Sequence, residues 1–370
     1  MSFYISIIKE SFAFFPIIAA VFTLPYLIYN YHKYGSVWSI RILIVYSFIL
    51  YVMTVLFLTS LPLPSRESVA NLNIPRYNLH PFAFVKDIME EAPMISDDPT
   101  TWIYLLKAKA FKEFAANILM CIPFGMYMRY YFRQNFFVSV LLTFLFSLFL
   151  ELSQLTGLWF IYPRNYRMFD VDDLMSNTLG GLIGYLIMVP LGYLLPSRKR
   201  IDEASYRKGE KVSLLRRLMA LGTDLVIFGF LTIVAGFYFP VSHMRFLAYF
   251  LIVSIAGSLL SCLMFRGKTP GMALMSLRIV NPEHHRASLI SLLIRFVSEY
   301  GFMIGIPLII DLIEHKFAEY SNLLPVLQWG YILGWLVSMI LFLASRRSLF
   351  AWLSNTELVS DIRLRNENLQ

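Results

Sequence analysis

Three acidic residues stand directly before an apolar, glycine-containing run in the stretch FDVDDLMSNTLGGLIGY at 169–185: Asp170, Asp172 and Asp173. Carboxylate oxygens can coordinate a hard divalent cation, or they can accept hydrogen bonds from the hydroxyls and amides of a polar ligand. A carboxylate in or near hydrocarbon is costly unless it is paired or hydrated. The crowding of acids against such a run therefore marks a candidate functional site, provided that the run enters a membrane.

The composition indicates that it does. The chain of 370 residues is 58% hydrophobic and only 15% charged, with a mean hydropathy of +0.61, whereas soluble proteins carry roughly 25% charged residues. Several apolar runs reach the roughly 20 residues that a helical span needs. The runs do not alternate polar and apolar residues as barrel strands do, so they predict an all-α, polytopic transmembrane helical bundle. We predict about nine spans, at 12–31, 40–60, 112–132, 136–156, 173–194, 217–238, 246–264, 289–311 and 324–344.

The distribution of basic residues predicts the orientation of the bundle. Lys and Arg are nearly twice as frequent in one alternating set of loops, which includes 195–216 and 265–288, as in the other set. Cytoplasmic loops carry the excess of Lys and Arg. We therefore expect an N-terminus outside, a cytoplasmic C-terminus, and a multi-pass protein of the cell membrane.

A charged segment at 196–215 divides the spans into two groups. We predict a membrane domain of five spans at 1–195, a cytoplasmic linker at 196–215, a membrane domain of four spans at 216–360 and a C-terminal tail at 361–370. The basic cluster RKR at 198–200 suits an anionic inner leaflet, and we expect no nucleic-acid partner.

With this topology, polar residues from distant parts of the first domain reach one layer at the outer leaflet. Glu151 and Gln154 are three residues apart and share a helix face. We name the following set the outer cluster and predict that it binds a ligand: Asn117, Glu151, Gln154, Arg167, Asp170, Asp172, Asp173 and Asn177. The alternative is a structural role, in which Glu151 pairs with Arg167 to pin the loop and Asp172 or Asp173 caps a helix.

A ridge of small residues follows the acids. Ser176, Gly180 and Gly184 are spaced four apart, which predicts close helix packing within the fifth span. Because these glycines lie in the middle of a span, they do not form a phosphate-binding loop.

Four motifs in the first domain resemble the VanZ family: NLHPF (78–82), NILMCIPFGMY (117–127), FLELSQL (149–155) and RMFDVDDLMSNTLGGLIGY (167–185). Their order and spacing match across roughly residues 40–195. Family members are small polytopic proteins, and the member that gives the family its name is associated with low-level teicoplanin resistance. The resemblance carries over to Asn117, Pro123, Gly125, Glu151, Gln154, Arg167, Asp170, Asp173, Asn177 and Gly180.

The second domain contains ionisable residues within its spans. Arg217 and Asp224 are seven residues apart on one helix face, and Arg295 and Glu299 are four apart in the eighth span. An intramembrane Asp needs a partner. Arg295 pairs either with Glu299 or with Asp224 across the bundle. We predict that Arg217, Asp224, Arg295 and Glu299 form an intramembrane charge network, which either serves an ion path or fixes helix register.

This domain resembles the RDD family over about residues 210–360. The matching features are Arg217, Ala220 and Asp224, the loop GKTPGMALMSLRIV, and Arg295. Family members usually end in a motif like R-x-x-x-H-D-x-x-x-x-T. In the corresponding stretch RSLFAWLSNTELV (347–359), Arg347 and Thr356 remain, but Phe350 and Ala351 replace the expected His and Asp. The departure speaks against an activity, such as ion transport, that needs this second Asp.

Three functions remain open from the sequence. The first is recognition: the outer cluster binds an envelope lipid or a cell-wall lipid precursor, the target of glycopeptides, with Arg167 on an anion and the Asp and Asn residues on hydroxyls or amides. This would contribute to teicoplanin-type resistance.

The second function is enzymatic. Glu151, Asp170 and Asp173 would hold Mg²⁺ or Ca²⁺, whose bound water attacks a lipid phosphate. The absence of a nearby His or Cys cluster argues against zinc. The third function is transport of an ion or small molecule through the second domain.

Overall fold

The computed structural model describes residues 2–37, 39–92, 103–237, 243–345 and 347–362, and within them the chain is predominantly helical. The helical segments are α1 (Ser2–Tyr34), α2 (Ser39–Ser60), α3 (Arg66–Ala70), α4 (Ala83–Glu91), α5 (Ile103–Lys107), α6 (Lys109–Tyr130), α7 (Phe136–Leu155), α8 (Gly157–Phe160, a left-handed turn), α9 (Val171–Leu191), α10 (Arg198–Gly209), α11 (Leu214–Gly236), α12 (His243–Met264), α13 (Pro270–Leu274), α14 (Leu289–Tyr300), α15 (Ile306–Lys316), α16 (Leu324–Ser345) and α17 (Leu349–Leu353). The strands are β1 (Tyr77–Asn78), β2 (Phe169–Asp170), β3 (Leu277–Val280) and β4 (Glu357–Ser360).

The predicted all-α membrane architecture is confirmed, with one difference in the number of apolar spans. Eight helices within the described ranges are long and apolar enough to cross a membrane. The predicted span at 112–132 forms α6 but does not meet this standard. The reason is its composition, because α6 carries Lys109, Lys112 and Glu113 near its start and Asn117 in its interior.

Packing nevertheless places α6 beside the apolar helices. A Cβ added at Gly180 would collide with the carbonyl oxygen of Ile118, and one added at Gly184 would collide with that of Ile122. The residue numbers of the contacts increase in the same direction on both helices, so α6 and α9 run parallel. Their close contact is the one that the ridge of small residues predicted. On α7, Ser147 contacts Asn177 and Glu151 contacts Asp170. We infer that α6 crosses the membrane together with α7 and α9.

The chain divides into two compact units. The first consists of Met1–Phe22 and Ser39–Ile201, and the second consists of Thr23–Trp38 and Asp202–Gln370. The boundary at 201–202 falls inside the segment predicted as a linker, which contains α10. The predicted C-terminal tail lies outside the described residues from position 363 onward.

In the first unit, an ordered segment joins α2 to α4. Val69 of α3 is buried against Tyr162 and Tyr166 from the connection between α7 and α9. Strands β1 and β2 pair in parallel, so that Asn78 lies opposite Asp170. The motifs NLHPF and FDVDD, which are about 90 residues apart, thus meet side by side.

In the second unit, apolar side chains from several elements form one core. They come from α11, α12, α13, β3 and α14, and include Met275, Leu277 and Phe296, which are almost fully buried. Strands β3 and β4 pair antiparallel, with Leu277 opposite Ser360. The predicted eighth span is α14 followed by a π-helical turn at Gly301–Gly305 and α15.

Candidate ligand-binding site

Asp172 has a structural partner on each oxygen. Its Oδ1 accepts a hydrogen bond of 2.7 Å from the backbone N–H of Phe82, and its Oδ2 accepts one of 2.9 Å from that of Phe84. These N–H groups lie at the start of α4 and have no helical acceptor of their own. Asp172 therefore fastens α4 to the start of α9. Both Asp172 oxygens are thus engaged by the protein's own backbone, and the cap of α9, which was the alternative for Asp172 or Asp173, is Asp170 instead.

Asp170 caps α9. Its Oδ1 accepts a hydrogen bond of 2.9 Å from the backbone N–H of Asp172, and the Asn78 amide lies 3.4 Å from both of its carboxylate oxygens. Partial burial raises the pKa of Asp170 above its ordinary value, although these hydrogen bonds oppose the rise. Asp170 is half-buried, so its carboxylate stays partly exposed.

Glu151 is the most deeply buried carboxylate of the outer cluster, with 3% of its surface exposed. Its Oε2 accepts a hydrogen bond of 3.1 Å from the backbone N–H of Asp170. Its Oε1 accepts none from the described residues. A buried carboxylate normally satisfies both oxygens, and Glu151 departs from this pattern within the described part of the chain.

Asp173 and Asn117 lie opposite one another across the contact between α9 and α6. The Asn117 amide donates a hydrogen bond of 2.5 Å to Asp173 Oδ1. Asp173 Oδ2 and Asn117 Oδ1 take no hydrogen bond from the described residues. Both side chains are half-buried, so they form an accessible rim next to Glu151, with which Asp173 interacts electrostatically.

Arg167 does not neutralise these acids through an ion pair. Its Nη2 donates to the carbonyl oxygen of Leu61 at 3.2 Å, and within the described part of the chain no carboxylate lies within 4 Å of its guanidinium. It is close enough to Glu151 for a weaker electrostatic attraction. Asp173 is also close enough to Arg167 for such an attraction. The alternative in which Glu151 pairs with Arg167 to pin the loop does not match the structure.

The two remaining residues form the inner boundary of the cluster. The Asn177 amide donates to Ser147 Oγ at 2.9 Å, and its oxygen accepts a weak bond from the Cys121 thiol at 3.4 Å. Gln154 donates to the carbonyl oxygen of Thr59 at 3.1 Å. Both are buried. Asn177 is therefore committed to helix packing, while the Gln154 side-chain oxygen takes no hydrogen bond from the described residues.

The acids do not converge as a metal site. Among the described residues, no group of three or more His, Cys, Asp or Glu side chains is arranged to hold a metal ion. The reason is local, because Asp172 is turned to α4, Asp170 caps α9 and Asp173 faces Asn117. The set Glu151, Asp170 and Asp173 therefore lacks the shared centre that an oxygen-coordinated Mg²⁺ or Ca²⁺ requires.

In the second unit, Asp224 takes its hydrogen bonds from the loop after α12. Its Oδ2 accepts from Thr269 Oγ1 at 2.5 Å, and its Oδ1 accepts from the Gly271 backbone N–H at 2.7 Å. In the described residues it forms no ion pair within 4 Å. Asp224 thus holds the start of α13, and the pairing with Arg295 across the bundle is not formed.

Arg216, one residue before the predicted Arg217, holds the other end of α13. Its Nε donates to the Met275 carbonyl at 2.7 Å and its Nη2 to the Ser276 carbonyl at 2.7 Å. Its Nη1 donates to the Gly209 carbonyl and to Ser360 Oγ. The guanidinium is fully buried. Two side chains of α11 therefore hold α13: the acid Asp224 at the N-terminus of α13 and the base Arg216 at the C-terminus of α13. The helix dipole favours this arrangement of charges.

The rest of the predicted charge network is partly assembled. Arg295 lies 3.7 Å from Glu299 on its own helix and donates to Thr356 Oγ1 at 2.8 Å. Glu299 also interacts electrostatically with Arg217. Phe350 and Ala351 lie buried in α17. Thr356, which remains of the expected C-terminal motif, thus contacts Arg295, while the residues in the His and Asp positions are apolar.

Sequence reasoning missed three features of these sites. Asn78 belongs to the NLHPF motif, but its contact with Asp170 was not predicted, and neither was the contact of Thr269 with Asp224. Arg216 was missed in favour of Arg217 because both residues, eight and seven positions before Asp224, lie near the helix face that carries Asp224. The signal that could have found it is the regular spacing of Arg216, Ala220 and Asp224, four residues apart.

Comparison with known proteins agrees with the two resemblances. Residues 43–195 match the family model described as VanZ/LLP1, and residues 211–351 match the one described as RDD family. No curated protein and no solved structure matches the chain. The chain is therefore a multi-pass membrane protein that carries a VanZ/LLP1 segment and an RDD segment in tandem.

Proposed function

We propose that this envelope membrane protein binds the headgroup of an envelope lipid or a lipid-linked cell-wall precursor at the outer cluster. The observation that carries the proposal is the state of Glu151. This carboxylate is buried, one of its oxygens is held by the Asp170 N–H, and the other takes no hydrogen bond from the described residues. A retained acceptor at this depth is costly unless a ligand or water completes it.

The neighbouring groups fit a polar headgroup. Asp173 Oδ2, Asn117 Oδ1 and the Gln154 oxygen are further acceptors, and each suits a hydroxyl or amide N–H of a sugar or peptide. The Arg167 guanidinium has five N–H donors, and one hydrogen bond, to Leu61, is seen. It suits a phosphate at the same headgroup.

The loop contacts explain how such a site keeps its shape. Asp172 fixes the start of α4, and the pairing of β1 with β2 holds Asn78 beside Asp170. Of the groups proposed to contact the ligand, Asn117, Glu151, Gln154 and Asp173 lie on α6, α7 and α9, which pack against one another, and Arg167 lies in the loop before β2. Binding of this kind would reduce the access of a glycopeptide to its target and so contribute to teicoplanin-type resistance.

The test compares Glu151→Gln with Glu90→Gln in the full-length protein. Glu90 is exposed on α4 and pairs with Lys86, so its substitution makes the same chemical change outside the cluster. We expect Glu151→Gln to lose the co-purified lipid, measured by mass spectrometry, and to lower teicoplanin tolerance, with no effect of chelators. Glu90→Gln should retain both.

Equal lipid retention by the two variants would contradict the proposal. Loss of a turnover activity that chelators also abolish would instead favour the hydrolase. The charge network of the second unit gives the transport function its own test, since Glu299→Gln would stop transport and leave lipid retention unchanged.

A further inference from the structure

A cavity of about 510 Å³ opens in the second unit beside strand β4. Its lining includes Lys211, Arg217 and Arg347, together with Glu210 and Glu357. No residue of the outer cluster lines this cavity, and neither do Arg216 and Asp224, which together form the clamp on α13; Ser360, which accepts a hydrogen bond from Arg216, does line it. By the predicted topology, its lining segments lie on the cytoplasmic side, so the cavity is open to cytoplasmic solutes and to inner-leaflet headgroups.

The cavity runs along the backbone edge of β4. All four strand residues, from Glu357 to Ser360, line it. Successive side chains of a strand point to opposite faces, so a space that touches all four lies along the edge rather than on one face.

The pairing pattern shows which backbone groups face that edge. The Asp361 N–H donates to the Ser276 carbonyl at 2.8 Å, which makes these two a hydrogen-bonded pair. In an antiparallel ladder such pairs alternate. The N–H groups of Leu358 and Ser360 therefore point away from β3 and towards the cavity, and the described residues provide no acceptor for them.

The charged side chains around the edge favour an anion. The lining carries three cationic side chains and two carboxylates, of which Glu357 forms an ion pair with Arg347. Ala351 contributes only a methyl group to the lining. Backbone N–H groups beside Lys and Arg side chains are the combination by which proteins bind phosphate.

We propose that this cavity is a binding site for a phosphate-type anion, held by the N–H groups of Leu358 and Ser360 and by Lys211 and Arg217. Two sources carry this chemistry. One is a free phosphate compound of the cytoplasm, and the other is the headgroup of an anionic lipid of the inner leaflet, which attracts basic segments such as α10.

The experiment uses the full-length protein and three variants. Ala351→Asp adds a carboxylate to the lining without removing a contact, and the resemblance to the RDD family implies that Asp is accommodated at this position. Lys211→Gln removes one exposed cation from the lining. Because an exposed side chain contributes little to folding, this variant still tests the proposal if Ala351→Asp does not fold. Lys208→Gln is the matched control, because Lys208 is exposed on nearby α10 and does not line the cavity.

One arm measures the binding of inorganic phosphate in a neutral detergent, at constant ionic strength set with chloride. The other arm measures, by native mass spectrometry, the retention of phosphatidylglycerol against phosphatidylcholine from mixed nanodiscs. We expect Ala351→Asp to weaken binding by about tenfold or more and Lys211→Gln to weaken it severalfold, while Lys208→Gln stays within about twofold.

The arm in which these differences appear identifies the source of the phosphate group. If the wild-type protein neither binds phosphate above chloride nor prefers phosphatidylglycerol, the proposal is overturned. It is also overturned if Ala351→Asp, folded, and Lys211→Gln both bind like Lys208→Gln.

Discussion

In the second unit, Arg216 and Asp224 reach the two ends of α13, and the protein itself supplies every partner that their charged atoms contact. In the first unit, Asp172 is satisfied in the same way by the start of α4, but Glu151 and Asp173 each keep an oxygen that takes no hydrogen bond from the described residues. Buried charge thus has two uses in this chain. Where the hydrogen-bond partners are complete, the charge fixes a short helix. Where they are incomplete, we propose that the site binds a ligand.

The largest effect is expected at the complete cluster. Arg216→Met would leave the Met275 carbonyl without its donor and the Ser276 and Gly209 carbonyls with one donor fewer. The loss of these hydrogen bonds to a buried charged group should lower the free energy of unfolding by about 3–5 kcal/mol. Arg207→Met, on the exposed face of α10, should change it by less than about 0.5 kcal/mol. Thermal unfolding in detergent measures both. An Arg216→Met protein as stable as the control would show that the clamp is not structural.

The contact between α6 and α9 gives the next effect. A Cβ at Gly184 would meet the Ile122 carbonyl, so Gly184→Ala should destabilise the protein by about 1–3 kcal/mol and separate the two helices that carry Asn117 and Asp173. At Gly222 of α11, nothing lies within 4 Å of an added Cβ. Gly222→Ala should be neutral or stabilise by up to about 1 kcal/mol. The paired unfolding midpoints test this, and equal shifts would refute the close packing.

Two neighbouring acids sharpen the comparison inside the first unit. Asp172→Asn would place an amide group against one of the two N–H donors of α4 and should cost about 1–3 kcal/mol of stability. Asp173→Asn can keep accepting from Asn117, so its stability should change by less than about 0.5 kcal/mol while lipid retention falls. The account fails if the two variants exchange these phenotypes.

The smallest effect concerns pH. Since burial raises the pKa of Asp170, its ionisation opposes folding, and its contribution to stability is most favourable below the ordinary Asp pKa. That contribution is lost as the pH rises from the ordinary value through the raised one. Asp170→Asn, which can still cap α9, should flatten the decline of the unfolding midpoint in this range. An unchanged slope would mean that Asp170 does not titrate differently in the folded state.

The hydropathy of the sequence was sufficient for the helices, because a span of about 20 apolar residues has few alternatives in a bilayer. The prediction of a span at 112–132 rested on a helix, α6, that is less apolar than the eight helices able to cross by length and composition, and its packing against α9 is what places it among them. The glycine spacing in α9 predicted the α6 contact for a local reason, since residues four apart share a face.

The site was harder to predict, because its partners come from distant segments. Nothing near Asp172 in the sequence indicates that its oxygens meet Phe82 and Phe84, about 90 residues earlier. Likewise the partners of Arg216 are backbone carbonyls, which every residue has, so no residue type marks them. Only the hydrogen bonds of the structure show which charged groups have a protein partner for every polar atom and which do not.

The most direct test of the proposed site is a cryo-electron microscopy map of the full-length protein in nanodiscs formed from its native membrane. The account predicts headgroup density in contact with Glu151 Oε1 and with Asp173, and with Arg167 on the same molecule. A map with no density there, in which Arg167 forms an ion pair with Glu151, would contradict the proposed binding site. The outer cluster would then have a purely structural role, like that of Asp172.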